Sequence, residues 1–241
     1  VATDFETEGL PRAVTDVLAS ASGAERRADP VLPITGGPAG NARLTAWTGI
    51  VLLLGFIAEC VTLLSLHSML SAHILIGAVL VPLVLLKTGV TGWRIGRYYL
   101  GSDAYRTAGP PPLLLRILGP LVVLSGLAVL GSGLALIPLG ESSFNPIFTV
   151  AGQGIDAFTV HKLCFILWFA ITSAHGLARL VPALQLASGS PRERVVPGRV
   201  LRGAVIAVTL ALSIVTGAVV LNLSSTWTSG QVQGFSNTGG Q

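Results

Sequence analysis

Four ionisable side chains lie inside apolar sequence at two equal intervals. His161 and His175 fall within the run FTVHKLCFILWFAITSAHGLARL, residues 158–180, and are 14 residues apart. His73 and Lys87 fall within another apolar run and are also 14 residues apart. On a helix this spacing is close to four turns, so each pair occupies nearly one face, about 21 Å apart in height. Ionisable groups are costly inside a bilayer, and function is the default expectation for them. Imidazoles from two helices suit one chemistry in particular, because together they supply both axial ligands of a six-coordinate haem iron.

The elements around these residues are those of an integral membrane protein. Of 241 residues, 51% are hydrophobic and only 11% charged, whereas soluble domains carry about a quarter charged residues. Mean hydropathy is +0.73. The net charge of +4 does not call for nucleic acid, since the basic residues cluster at the ends of apolar runs, where membrane topology accounts for them. Cys60 and Cys164 stand alone, with no CxxC; this excludes a disulfide scaffold, a zinc ribbon and covalent haem attachment. Both thiols are expected to be free and to behave as small hydrophobes. No glycine-rich nucleotide motif is present. Residues 1–40 contain no apolar core segment, so no cleavable signal peptide is expected.

Five membrane spans are predicted, at residues 44–66, 71–92, 113–137, 158–180 and 203–221. They divide the chain into an N-terminal cytoplasmic tail (1–42), a transmembrane bundle (43–222) and an outer C-terminal tail (223–241). An amphipathic helix is expected over 11–21, with Pro11 at its start and Val14, Val17 and Leu18 on one side. The rest of the polar tail is expected to lie on a partner or on the protein's own surface. The link 67–70 makes spans 1 and 2 a tight hairpin, and Pro82 should kink span 2. The 2–3 loop carries Arg94, Arg97 and Arg106, and the 4–5 loop carries Arg192, Arg194 and Arg199. The alternate loops lack Lys and Arg, apart from Lys162 at the start of span 4. Positive-inside then places the N-terminus in the cytoplasm and the C-terminus outside, in the plasma membrane of the cell.

In this topology spans 2 and 4 run parallel and present two rungs. The outer rung sets His73 opposite His161, and the inner sets Lys87 opposite His175. A lysine ligates iron only as the neutral amine, and Lys87 could instead snorkel to the interface or meet a haem propionate. Each histidine could alternatively hydrogen-bond a neighbouring helix. His67, at the outer end of span 1, is an alternative to His73 as ligand, or else interfacial. Glu59 is costly at its depth: it could itself be a quinone-site proton acceptor, or else partner an outer-side hydroxyl or His67.

The layout over residues 44–185 resembles the membrane-embedded b-type cytochromes, on His73, His161 and His175 with LTAWTGIVLLLG leading into the bundle. The resemblance implies an all-α fold, a five-span bundle with a four-helix haem-binding core. It implies two b-type haems, one at minimum, and a quinone. Such subunits move electrons between a redox partner and quinone in hydrogenases, formate dehydrogenases and related complexes, so other subunits are expected partners. Lys87 departs from the family pattern, which places a fourth histidine there. The alternative is a non-haem membrane anchor, or a proton- or metal-handling transporter subunit using His161, His175, Glu59 and Lys87.

Overall fold

A computed structural model describes residues 11–24, 29–109, 112–188, 196–233 and 235. The predicted tail residues 1–10, loop residues Arg192 and Arg194, and tail residues 236–241 lie outside the described residues. In a bilayer every backbone N–H and C=O must be satisfied within the chain, so unbroken apolar sequence becomes helix. The protein is mostly helical. Among the described residues four helical stretches are long and apolar enough to cross a membrane: Gly37–Tyr99, Leu113–Phe144, Ala157–Ser188 and Arg199–Leu223.

The first stretch doubles back on itself. It consists of α2 (Gly37–Thr62), a 3-10 turn (Leu63–Ser65) and α3 (Leu66–Tyr99). Descending residues of α2 meet ascending residues of α3: Thr62 contacts His73, Thr45 contacts Lys87, and Asn41 contacts the Val90 carbonyl. The reversal therefore falls four residues before the expected link at 67–70. Ser65 leaves helical geometry at φ −149°, ψ 60°, and its hydroxyl pairs with that of Ser68 at 2.7 Å. His67 consequently belongs to the first turn of α3, not to the end of the preceding span. Pro82 lies inside a continuous α3.

The remaining long helices are α5 (Leu113–Leu139), α6 (Ala157–Ser188) and α7 (Arg199–Leu223), with short helices α1 (Arg12–Ala21), α4 (Asp103–Thr107) and α8 (Ser225–Thr228). Helix α2 packs on α3, α3 on α5, α5 on α6, and α6 back on α2. These four make a square in which α3 and α6 face each other across a diagonal. Leu52 of α2 and Leu80, Leu83 and Val84 of α3 form its buried centre, with Phe56 and Leu130 against them. Helix α7 lies outside the square against α3. There Gly217 permits the approach, since a Cβ would stand 2.9 Å from Val79 Cγ2.

The expectation of an all-helical chain needs one correction. Residues 146–156 form an antiparallel hairpin, β1 (Pro146–Val150) and β2 (Gln153–Asp156). Its two turn residues, Ala151 and Gly152, have φ of 50° and 79°, the double positive φ of a tight two-residue hairpin loop. The segment joining α5 to α6 is rich in β-branched and aromatic residues, which suits a strand once the helices have ended.

Both ends of the square are covered by chain. The expected amphipathic helix forms as α1 and packs on α6 and α5. Residues 29–36 are tied down by Arg94, which pairs with Asp29 at 3.2 Å, and by Arg202, which donates to the carbonyls of Thr35, Pro197 and Val196. At the other end Trp227 of α8 is buried, its indole N–H donating to the Leu136 carbonyl at 3.1 Å.

Candidate functional site

Two of the three candidate histidines come together inside the square. The rings of His73 on α3 and His161 on α6 have centroids 6.5 Å apart and planes at 76°. Asp156 caps α6 by accepting the Thr159 N–H at 2.6 Å, which fixes the helix start at Ala157, four residues before His161. The 3-10 turn sets the register that puts Thr62 beside His73.

Each ring has its Nδ1 against a hydroxyl that also reaches a backbone carbonyl. Thr62 is 1% exposed. Its hydroxyl donates its only proton to the Glu59 carbonyl at 2.5 Å, so toward His73 Nδ1, 2.9 Å away, it accepts. Glu59 Oε1 offers a second acceptor 3.1 Å from the same nitrogen. Ser132 of α5 behaves in the same way: its hydroxyl donates to the Val129 carbonyl at 3.1 Å and lies 3.0 Å from His161 Nδ1. With each hydroxyl proton given to a carbonyl, both histidines would donate from Nδ1 and present a bare Nε2. A ligating histidine commonly holds an oxygen acceptor on one nitrogen and metal on the other.

The residues present fit a haem. Two nitrogen–metal bonds of about 2 Å, with the half-rings beyond them, separate the ring centres of two imidazoles on one metal by about 6 Å. The observed 6.5 Å is close to that. Gly133 lies against the ring of His161, where a Cβ would stand 3.0 Å from Cε1. Among the described residues no group of three or more His, Cys, Asp or Glu side chains gathers. A haem needs only two ligands from the chain, because its macrocycle supplies the other four.

The second rung is built differently. Lys87 Nζ donates to the Thr45 carbonyl at 2.7 Å and passes over Gly49, where a Cβ would stand 2.6 Å from it. His175 Nδ1 is buried without a hydrogen-bond partner, as is Thr172 Oγ1 one turn earlier. Lys87, His175 and Arg179 lie close enough to act on one another electrostatically.

Glu59 finds its partner in His73, neither His67 nor an isolated hydroxyl. It lies over Gly77, whose missing side chain leaves room for the carboxylate: a Cβ there would be 3.2 Å from Oε1. The other oxygen, Oε2, is buried and unpartnered. His67 is exposed and stacks on Phe235, with centroids 5.7 Å apart and planes at 6°. Cys60 and Cys164 are both free thiols. Thr62, Ser132 and Gly133 were not singled out as ring partners from sequence. The triplet Gly131-Ser132-Gly133 carried a signal, a hydroxyl flanked by residues without side chains in an otherwise bulky apolar helix. The chain matches no family model, no curated protein sequence and no solved structure.

Proposed function

We propose that this chain is a membrane b-type cytochrome, the electron-transfer subunit of a larger oxidoreductase or respiratory complex that moves electrons between a redox partner and quinone. One observation carries the reading: two imidazoles on diagonal helices, each with its Nδ1 held by a hydroxyl, stand at the separation that one iron atom requires. His73 and His161 would hold the haem iron through their ring nitrogens. Bound there, it would supply one-electron chemistry, while the chain supplies ligation, orientation and a low-dielectric setting. Gly133 leaves the His161 ring a flat seat, and the Leu52–Leu80–Leu83–Val84 cluster keeps water from the centre of the bundle. A second haem would have to draw on His175 and Lys87, whose amine is already bonded to Thr45; a single haem is therefore the minimum form of the proposal.

Five crossings go with this reading. Helices α2 and α3, of 26 and 34 residues, run about 39 and 51 Å, and each exceeds a hydrocarbon core of about 30 Å. Their antiparallel pairing supports reading Gly37–Tyr99 as two crossings. The N-terminal arm, the end of α3 and the start of α7 then share one face, joined by Asp29–Arg94 and Thr35–Arg202. That face is the arginine-rich one, so the positive-inside preference puts it in the cytoplasm of a plasma-membrane protein.

A reduced-minus-oxidised absorbance spectrum of the purified protein tests the proposal. Bands of a six-coordinate b-type haem are expected in the wild type and absent from His73→Ala and His161→Ala. A wild-type protein with no haem bands sinks the proposal and leaves the non-haem reading, in which His161, His175, Glu59 and Lys87 serve a proton or metal path.

A further inference from the structure

The two proposed ligands are held unequally, and that difference has a consequence for the iron. His161 faces two neutral acceptors, the Ser132 hydroxyl and the Val129 carbonyl. His73 Nδ1 faces two acceptors, Thr62 Oγ1 at 2.9 Å and Glu59 Oε1 at 3.1 Å. The carboxylate is not placed by chance packing. Gly77 vacates the volume it fills, its own backbone carbonyl takes the Thr62 proton, and its second oxygen forgoes any hydrogen bond. A buried polar atom left without a partner in a native site calls for a functional account.

The geometry points to Glu59 as a positioning residue that, with Thr62, makes His73 the stronger electron donor of the two axial ligands and so lowers the potential of the haem. This inference rests on the reading of His73 and His161 as ligands. An acceptor pulling on Nδ1–H enriches the rest of the imidazole ring and raises ligand basicity at Nε2. A more basic axial ligand favours ferric over ferrous iron, and axial-ligand electronics are one of the protein's main levers on haem potential. Glu59 itself touches no iron. Its influence passes through the His73 ring, whose orientation and tautomer it helps fix.

Two measurements on the full-length protein test the assignment. The first is a redox titration of the haem in wild type, Glu59→Leu, Glu59→Gln and Thr62→Val. At the wild-type midpoint, Glu59→Leu should raise the ferrous-to-ferric ratio tenfold or more, a shift of about 59 mV for one electron. Glu59→Gln keeps an acceptor oxygen and should restore most of the wild-type value; Thr62→Val should shift the ratio the same way as Glu59→Leu but less. If Glu59→Leu does not accumulate, Gly77→Ala crowds the carboxylate with Glu59 unchanged and should raise the ratio too. A midpoint unmoved in these variants overturns the assignment while leaving the haem itself in place. The second measurement needs no haem. Magic-angle-spinning NMR of isotope-labelled histidines should find His73 as the Nδ1–H tautomer in wild type, and a mixture of tautomers in the Glu59→Leu/Thr62→Val double variant. An unchanged tautomer overturns the positioning role. A wild-type protein that binds no haem removes the electron-transfer reading instead, and with it the effect on potential.

Discussion

Substituting Gly133 with alanine should damage the proposed haem binding without damaging the fold. The Cβ would stand 3.0 Å from His161 Cε1 and 3.5 Å from Nδ1. Carbon pairs prefer about 3.5–4.0 Å, so the ring must withdraw by roughly 0.5–1 Å. The Ser132–Nδ1 bond, now 3.0 Å, would then stretch past the limit of a useful hydrogen bond. Losing that bond costs about 1 kcal/mol, and stranding a buried Nδ1–H adds about 1–2 kcal/mol. Weakened support of a metal-ligating histidine typically costs about 10–100-fold in metal affinity, which is the loss expected here. The helix itself gains about 0.5–1 kcal/mol from Gly→Ala, so thermal stability of the haem-free protein should hold or rise. Gly131→Ala is the internal control, on the same helix two residues away with open space around its Cβ position. The assay is haem titration of purified apoprotein, followed by absorbance and checked by haem per polypeptide. Wild-type haem affinity in Gly133→Ala, or equal losses in both variants, would refute the claim that the His161 ring is seated on Gly133.

Three further outcomes follow from the described contacts. His175→Ala and Lys87→Met should leave the His73/His161 haem bands intact, while a second set of bands that Lys87→Met alters would reveal a haem on the other rung. Arg202→Met removes donors to three carbonyls; a charged hydrogen bond contributes about 1.5–3 kcal/mol, so residues 29–36 should become protease-sensitive in limited proteolysis. Ala151→Gly relieves a non-glycine residue held at φ 50°, and hydrogen exchange of the hairpin amides should slow by a few-fold, since a left-handed conformation costs an alanine roughly 1 kcal/mol.

Hydropathy made the long helices legible, and the 14-residue spacing made the first rung legible. His73 does lie opposite His161. The helix ends were harder to read. Arg94, Arg97, Tyr98 and Tyr99 look like a loop by polarity, yet α3 runs through them to Tyr99, because nothing breaks it before Gly101, whose φ is 92°. The first reversal was hidden for the opposite reason: Leu63, Leu64 and Leu66 surround it, and neither Gly nor Pro marks it. Misplacing it by four residues also misplaced His67 and left Glu59 without its true partner. Hydroxyl partners were the least legible feature. A Ser or Thr in an apolar helix can always bond its own preceding turn, as Ser132 does with Val129. Only knowledge of which helices are neighbours shows that its second bond goes to His161.

The clasp between Arg202 and Thr35 spans 167 residues of sequence, and this imposes an order on biogenesis. Thr35 leaves the ribosome long before Arg202 exists. At about 5–20 residues per second the delay is roughly 10–30 s. During that interval the N-terminal arm has no carbonyl clasp, and α2, α3, α5 and α6 must enter the membrane and associate without it. Trp227 likewise reaches Leu136 only after 91 residues of chain have been added. Each end of the bundle is therefore closed last, by the start of α7 at one end and by α8 at the other. The space between His73 and His161, the proposed haem pocket, forms before its covers do, which leaves a period in synthesis when a large, flat cofactor could still enter.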